Sequence, residues 1–311
     1  MTTEERVTRL EQANDRYHAG WRDPDPPPPD PELIKPTFEG LVTSAPDQDF
    51  YIFNPAFLLG GKYTVYAKKG NKIYIGKSTD GLINFNWIET NLPVTGSIVY
   101  IPEQNTFRGS YHRWNVQVQG RCTNYSNGAS DGITWSDMDV DWNQTNGEDR
   151  NLLYDAGLPK PFKNYTRPDP APIPRTIGLQ ESANGTTGWS RIIEILKPDA
   201  TDPETLEFYE MSVIRTARGY FGLLTTYDRV SSLVNIQLVF SPDGKTGWRR
   251  LNNRRNFIDR AGGVKQIFGN WSVIGTKAVI YSIENFEDHE HGGRHFSKRY
   301  SIELTELYKY L

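Results

Sequence analysis

The sequence predicts an all-β chain folded as a five-bladed β-propeller, with a short N-terminal helix and a proline-rich linker. Two observations carry this. The first is a turn signal that recurs four times. It reads Ser78-Thr79-Asp80-Gly81 with Trp87 following, then Ser130-Asp131-Gly132 with Trp135. Ser182-Ala183-Asn184-Gly185 with Trp189 and Ser241-Pro242-Asp243-Gly244 with Trp248 complete the set. The Asp/Asn positions are separated by 51, 53 and 59 residues. Repetition at that period in a β-rich chain means sheets fanned around an axis. In each copy the Asp/Asn-Gly pair is expected to supply positive φ to a tight hairpin turn, with the Trp packing beneath it. The second observation is what lies before each turn: runs of apolar and β-branched residues of strand length.

In chain order, residues 1–22 read as an amphipathic helix. Glu4 and Glu5 suit its first turn, and Val7, Leu10, Ala13 and Tyr17 recur at helical spacing. It is too short to stand alone in water, so it calls for a partner surface. Residues 23–36 include Asp-Pro-Asp-Pro-Pro-Pro-Pro-Asp-Pro, an extended polyproline spacer. The propeller is then assigned to 37–311. Its first blade begins near Phe50 and its second near Gly96. The third is irregular, with strands expected at 151–154, 166–173 and 175–180. The fourth is the clearest, at 207–214, 220–227 and 234–240. The fifth runs from Gly263 to Leu304 and lacks the turn signal. A strand over 37–42 is expected to pair with the last blade and close the ring, which removes exposed edges.

Composition narrows the function. The 311 residues carry a net charge of −3 and a single cysteine, Cys122. No broad basic field exists for a nucleic acid, and no intrachain disulfide can form. No apolar run has the length of a membrane span, and no signal peptide is seen, so the expected location is a virion or else the cytoplasm.

Blade four, Phe208-Tyr209-Glu210-Met211-Ser212-Val213 followed by Gly219–Leu224 and Ile236–Gly244, resembles a segment of the invertase-like and arabinanase-like five-bladed glycoside hydrolases. Tyr281-Ser282 with His289 and His291-Gly292-Gly293 is similar to the tail of hydrolase-like proteins in that superfamily. The resemblance spans roughly residues 45–305. It implies three acids at the central funnel, because glycosidic cleavage needs one group charged while another delivers a proton. It places the general acid at Glu210 and a partner acid at Asp169, in Arg167-Pro168-Asp169-Pro170. Where it expects the first carboxylate, before a proline on blade one, this chain has Asn54-Pro55. Asp47 or Asp49 could stand in from the preceding loop.

Other candidates come from the residues alone. His112, Arg113 and Trp114 join a ring face to polar groups, as sugar binding requires. Asp288, His289, Glu290, His291 and His295 cluster within eight residues, and His289 and His291 are the candidate metal ligands. No cofactor is otherwise expected beyond an axial ion such as calcium. The leading expectation is a glycan-binding propeller, with Asn54, His112, Arg113 and Trp114 meeting a cell-surface polysaccharide. It would be displayed on a bacteriophage head or tail through residues 1–31, docked on another structural protein or on copies of itself. The alternatives are a glycoside hydrolase and a purely structural part.

Overall fold

The structure is a computed structural model. It describes residues 33–42, 49–82, 84–92, 96–115, 120–137, 147–168, 173–260, 262–291 and 293–311. The helix expected over 1–22 and most of the linker lie outside these residues. Lys35–Leu311 forms one compact unit and carries every described strand.

Among the described residues, twenty-one strands make five antiparallel sheets. The first contains β2 (Phe50–Ile52), β3 (Phe57–Leu59), β4 (Lys62–Lys69), β5 (Lys72–Ser78) and β6 (Asn86–Glu89). The second is β7 (Gly96–Ile101), β8 (Thr106–Asn115), β9 (Gly120–Gly128) and β10 (Trp135–Asp137). The third is β11 (Gly147–Tyr154), β12 (Phe162–Pro168), β13 (Ile177–Ser182) and β14 (Ile193–Leu196). The fourth is β15 (Leu206–Thr216), β16 (Gly219–Asp228), β17 (Leu233–Ser241) and β18 (Arg249–Arg250). The fifth is β19 (Gln266–Ile274), β20 (Lys277–Asn285) and β21 (Lys298–Glu303), with β1 (Thr37–Leu41) added at its outer edge. The chain ends in the helical turn α1 (Leu304–Leu307).

β1 pairs antiparallel with β21, so the closing strand lies where the sequence puts it. A lone parallel bridge between Phe50 and Phe296 ties the last sheet to the first. By continuous hydrogen bonding the ring therefore counts four sheets, and by strand order five.

The core lies between sheets, not within one. Phe53, Tyr66 and Ile75 of the first sheet pack on Ile98, Phe107 and Trp135 of the second. Val99 and Ile101 meet Leu152 and Phe162 of the third. Tyr165 and Leu179 meet Phe208, Met211 and Val239 of the fourth. Trp271 of β19 donates its indole N–H to the Ser212 carbonyl of β15 at 2.9 Å. Val279 and Tyr281 of the fifth return onto Ile52, Val65 and Ala67 of the first. Each sheet is thus the partner of the next, which is why strands such as β16 and β20 are apolar on both faces.

The repeated turns use a different device from the one their Asp/Asn-Gly pairs suggest. Only the glycines are left-handed: φ is 69° at Gly81, 71° at Gly132, 75° at Gly185 and 70° at Gly244. The acid or amide instead turns its side chain onto the backbone ahead. Asp243 Oδ1 accepts from the N–H groups of Lys245 at 2.8 Å and Thr246 at 2.7 Å. Asp131 does the same for Ile133 and Thr134, and Asn184 for Thr186 and Thr187. The bonds from Thr246 and Lys245 outweigh burial and hold the Asp243 carboxyl down at about 2. In three copies the serine hydroxyl two residues earlier accepts from the glycine N–H. In the second copy Ala129 holds that place and its carbonyl takes over.

A tyrosine of the preceding sheet closes three of these turns. Tyr66 donates to the Gly132 carbonyl at 2.8 Å and Tyr165 to the Gly244 carbonyl at 2.9 Å, while Tyr281 donates to that of Gly81.

Candidate functional site

In every sheet the first strand lines the axis, and these strands run the same way. Their final residues meet around one depression of about 490 Å³. Leu58 and Leu59, Val99 and Tyr100, Leu153 and Tyr154, Val213 and Ile214, and Trp271 and Val273 surround it. This end of the axis is mostly apolar, with Arg215 and Ser272 also in its lining. Third strands run in the same direction, so the repeated turns lie at this end too. The other end gathers the beginnings of first strands and the ends of second strands, and there the side chains are polar and aromatic.

The beginning of β15 is bulged. Phe208 pairs with Thr226 and Glu210 with Thr225, so Tyr209 is an extra residue without a counterpart on β16. A bulge re-aims the side chains it carries. Tyr209 and Glu210 are half-buried, whereas Phe208 and Met211 on either side are fully buried. The Thr225 hydroxyl lies 3.4 Å from Glu210 Oε1. β11 shifts register in the same way near its start, between Glu148 and Asn151.

Tyr209 gathers several aromatic and cationic contacts at this end. The Arg167 guanidinium, from the end of β12, lies 4.4 Å from its ring centre, and that of Arg175 lies 5.0 Å away. Such contacts favour cations on the ring face. Arg175 also pairs with buried Glu207 at 2.7 Å. The His289 ring stands edge-on to Tyr209, at 4.8 Å between ring centres, and its Nε2 is 2.7 Å from the Tyr209 hydroxyl. His289 Nδ1 faces Gln266 Oε1 at 3.2 Å, and Gln266 Nε2 donates to the Glu287 carbonyl at 2.8 Å. Burial, with Arg175 and Arg167 nearby, holds the His289 imidazole below its ordinary value.

Asp49 and His295 stand at the start of β2. The Asp49 carboxylate accepts from the His295 backbone N–H at 3.0 Å and lies 3.2 Å from His295 Nδ1. The His295 ring is 5.1 Å from that of Tyr51. Burial depresses His295 and outweighs the opposing pull of Asp49. His295 in turn acts electrostatically on His289, so the two histidines share one region.

The sequence-derived candidates fall in different places. Glu210 is at the mouth. Asn54 is inside the first sheet and fully buried. It accepts from the Tyr66 N–H at 2.7 Å and donates to the Pro55 carbonyl at 2.7 Å. A carboxylate there would lose the donor and bury a charge, which is the physical reason an amide fits. Asp169 and Asp47 lie outside the described residues. His112, Arg113 and Trp114 occupy the mouth-ward half of β8, opposite Thr123, Cys122 and Arg121 of β9.

His289 and His291 are not brought together. His291 is exposed and pairs with Asp288, which raises the imidazole and lowers the carboxyl, while His289 turns inward. Among the described residues no group of three or more His, Cys, Asp or Glu is placed to hold a metal ion. No helix among them is long and apolar enough to cross a membrane. Arg167, Arg175 and Gln266 were not foreseen, since no spacing in the sequence links the third sheet to the fifth.

Protein-family models give no match to the sequence, and neither do curated proteins. Solved structures do match in fold. A thermostable family-43 glycoside hydrolase superposes with a TM-score of 0.63 at 10% identity, over 86% of this chain and 92% of that one. A GH62 hydrolase in complex with xylotriose gives 0.62 at 13% identity, over 88% and 99%. An α-L-arabinanase from Penicillium chrysogenum, complexed with arabinobiose, gives 0.53 at 12%, over 90% and 100%. At such identities the likeness is one of fold: the chain has the propeller architecture of arabinanase-like glycoside hydrolases.

Proposed function

We propose that the polar mouth binds a glycan and that the chain acts on glycosidic bonds, as a glycoside hydrolase of the propeller type. One observation carries this reading. The bulge in β15 falls at Tyr209 and Glu210, so the residue singled out as general acid is re-aimed on a strand that lines the axis. Tyr209, which shares the bulge, meets the Tyr227 and His289 rings and the Arg167 and Arg175 guanidinium groups, and such groups suit the C–H faces and hydroxyls of a sugar. The neighbours named above include hydrolases seen with xylotriose and arabinobiose. Display on a bacteriophage particle gains no observation from the described residues, and neither does a purely structural role.

The test is a panel of arabino- and xylo-oligosaccharides, scored by calorimetric binding and by product release. Glu210→Gln is expected to keep binding and to lose turnover by about 10²–10⁴-fold, the scale of one acid–base group. A protein that neither binds nor cleaves any member of a broad panel overturns the reading.

A further inference from the structure

Asn54 leaves the mouth without the carboxylate that the resemblance expects on blade one, and the same mouth holds another group built for that task. The orientation of three side chains follows from hydrogen-bonding rules alone. A carbonyl only accepts, so the Gln266 group 2.8 Å from the Glu287 oxygen is its NH₂. Gln266 Oε1 therefore faces His289 Nδ1, which must carry the hydrogen of the neutral ring. Nε2 is then bare and accepts the phenolic proton of Tyr209 across 2.7 Å. A nucleophile on a base, and the base on an orienting third group, is the arrangement that activates hydroxyl nucleophiles.

We propose that Tyr209 is the nucleophile of this site, with His289 as its base, Gln266 as the positioning residue and a glycoside as substrate. This rests on the glycan reading above. In the first step the Tyr209 oxygen bonds to the anomeric carbon as the glycosidic C–O bond breaks. The phenolic proton passes to His289 Nε2, and Glu210 in its acid form protonates the leaving oxygen. In the second, water attacks the anomeric carbon and gives its proton to the Glu210 carboxylate. The Tyr209–carbon bond breaks, and His289 returns its proton to the phenolate. Protons and charges balance over the cycle. Arg167 and Arg175 lie over the Tyr209 ring face, 4.4 and 5.0 Å from its centre. Burial and those same cations keep His289 neutral, as a base must be.

The experiment treats the full-length protein with arabino-, xylo- and manno-configured 2-deoxy-2-fluoroglycosyl fluorides and maps the adduct by peptide mass spectrometry. Fluoride leaves without a proton, so trapping does not need Glu210. A glycosyl mass on the Tyr209 peptide is expected in the wild type and in Glu210→Gln, and none in Tyr209→Phe. The Phe ring keeps both guanidinium contacts, and circular dichroism checks the fold. Turnover is expected to fall at least ~10³-fold in Tyr209→Phe, and trapping to slow at least ~10²-fold in His289→Gln. An adduct on Asp49, Glu210 or any other carboxylate overturns the assignment. So does the absence of any adduct in a protein that binds oligosaccharides, and in both cases the glycan reading stands. Failure to bind any glycan removes that reading and this one together.

Discussion

Tyr165→Phe tests how the sheets are held together. Tyr165 is fully buried, and its hydroxyl reaches from the third sheet to the Gly244 carbonyl in the turn of the fourth, at 2.9 Å. Its ring also meets Trp248 edge-on at 5.9 Å. Phenylalanine keeps that contact and the packing against Phe208 and Leu179, and loses only the hydrogen bond. A neutral buried bond contributes about 1 kcal/mol net, and an orphaned buried acceptor raises the cost to roughly 1–3 kcal/mol. The expected result is a lower urea midpoint with an unchanged slope, corresponding to that loss. Tyr66→Phe, at the Gly132 carbonyl, is expected to cost a similar amount. Tyr100→Phe is the control. Its hydroxyl meets Asn105 Oδ1 in solvent, so its change should stay within about 0.5 kcal/mol. If Tyr165→Phe and Tyr66→Phe are as mild as the control, the tyrosine clasps do not hold the ring.

Two further outcomes follow. Asp202 and Arg250 form an ion pair with both side chains nearly inaccessible, 4% and 6% exposed. Asp202→Ala leaves a buried guanidinium and should cost about 3–5 kcal/mol in the same denaturation assay, whereas a loss under about 1 kcal/mol would mean that Gln237, whose Oε1 accepts from Arg250 Nε at 2.8 Å, or solvent satisfies the guanidinium. The second concerns pH. His289 and His295 are both held below their ordinary value in the folded state, so unfolding takes up protons. Stability is therefore full above the unfolded value of about 6.5 and declines as pH falls through the window beneath it. Thermal melts from pH 8 to pH 5 should show this, and His295→Asn should flatten the slope. An unchanged slope would mean that other groups set it.

The readable parts of this fold were those whose chemistry is local. Asp243, Gly244 and Trp248 fall within six residues, and the turn they make needs nothing from elsewhere except a tyrosine. β12 was expected over 166–173 and runs from Phe162 to Pro168. Its Phe-Lys-Asn-Tyr-Thr-Arg sequence shows no apolar alternation, because Lys163 and Asn164 are buried against Glu181 and Gln180 of the adjoining β13. Burial made possible by a cross-strand partner leaves no period in the sequence. Glu210 could be singled out because the blade that carries it resembles a segment of the propeller glycoside hydrolases. Its neighbour Tyr209 could not, since the bulge that pairs it with His289 is a property of register, and Gln266 and His289 belong to the next sheet. His289 was noticed for its neighbours in sequence, Asp288 and His291, and those are not the groups it meets.

The direction of the second strands explains why the repeated turns and the polar mouth sit at opposite ends. β4, β12, β16 and β20 each begin beside the repeated turns or the apolar end and finish at the mouth. Tyr63, Phe162 and Tyr220 start theirs under Gly81, Gly185 and Gly244, so close that a methyl group on those glycines would lie 2.5–2.8 Å from the ring. Lys68, Arg167 and Tyr227 end three of them around Asp49 and Tyr209. The turn end is satisfied by backbone bonds that any sequence with the right side chains can make, so it can repeat. The mouth draws single residues from different sheets, so it cannot, and its contacts do not recur from blade to blade. Repetition in this chain therefore reports the scaffold, and the groups proposed to act on a glycan are found where the repeat is broken: a bulge at Tyr209 and a last sheet without a turn signal.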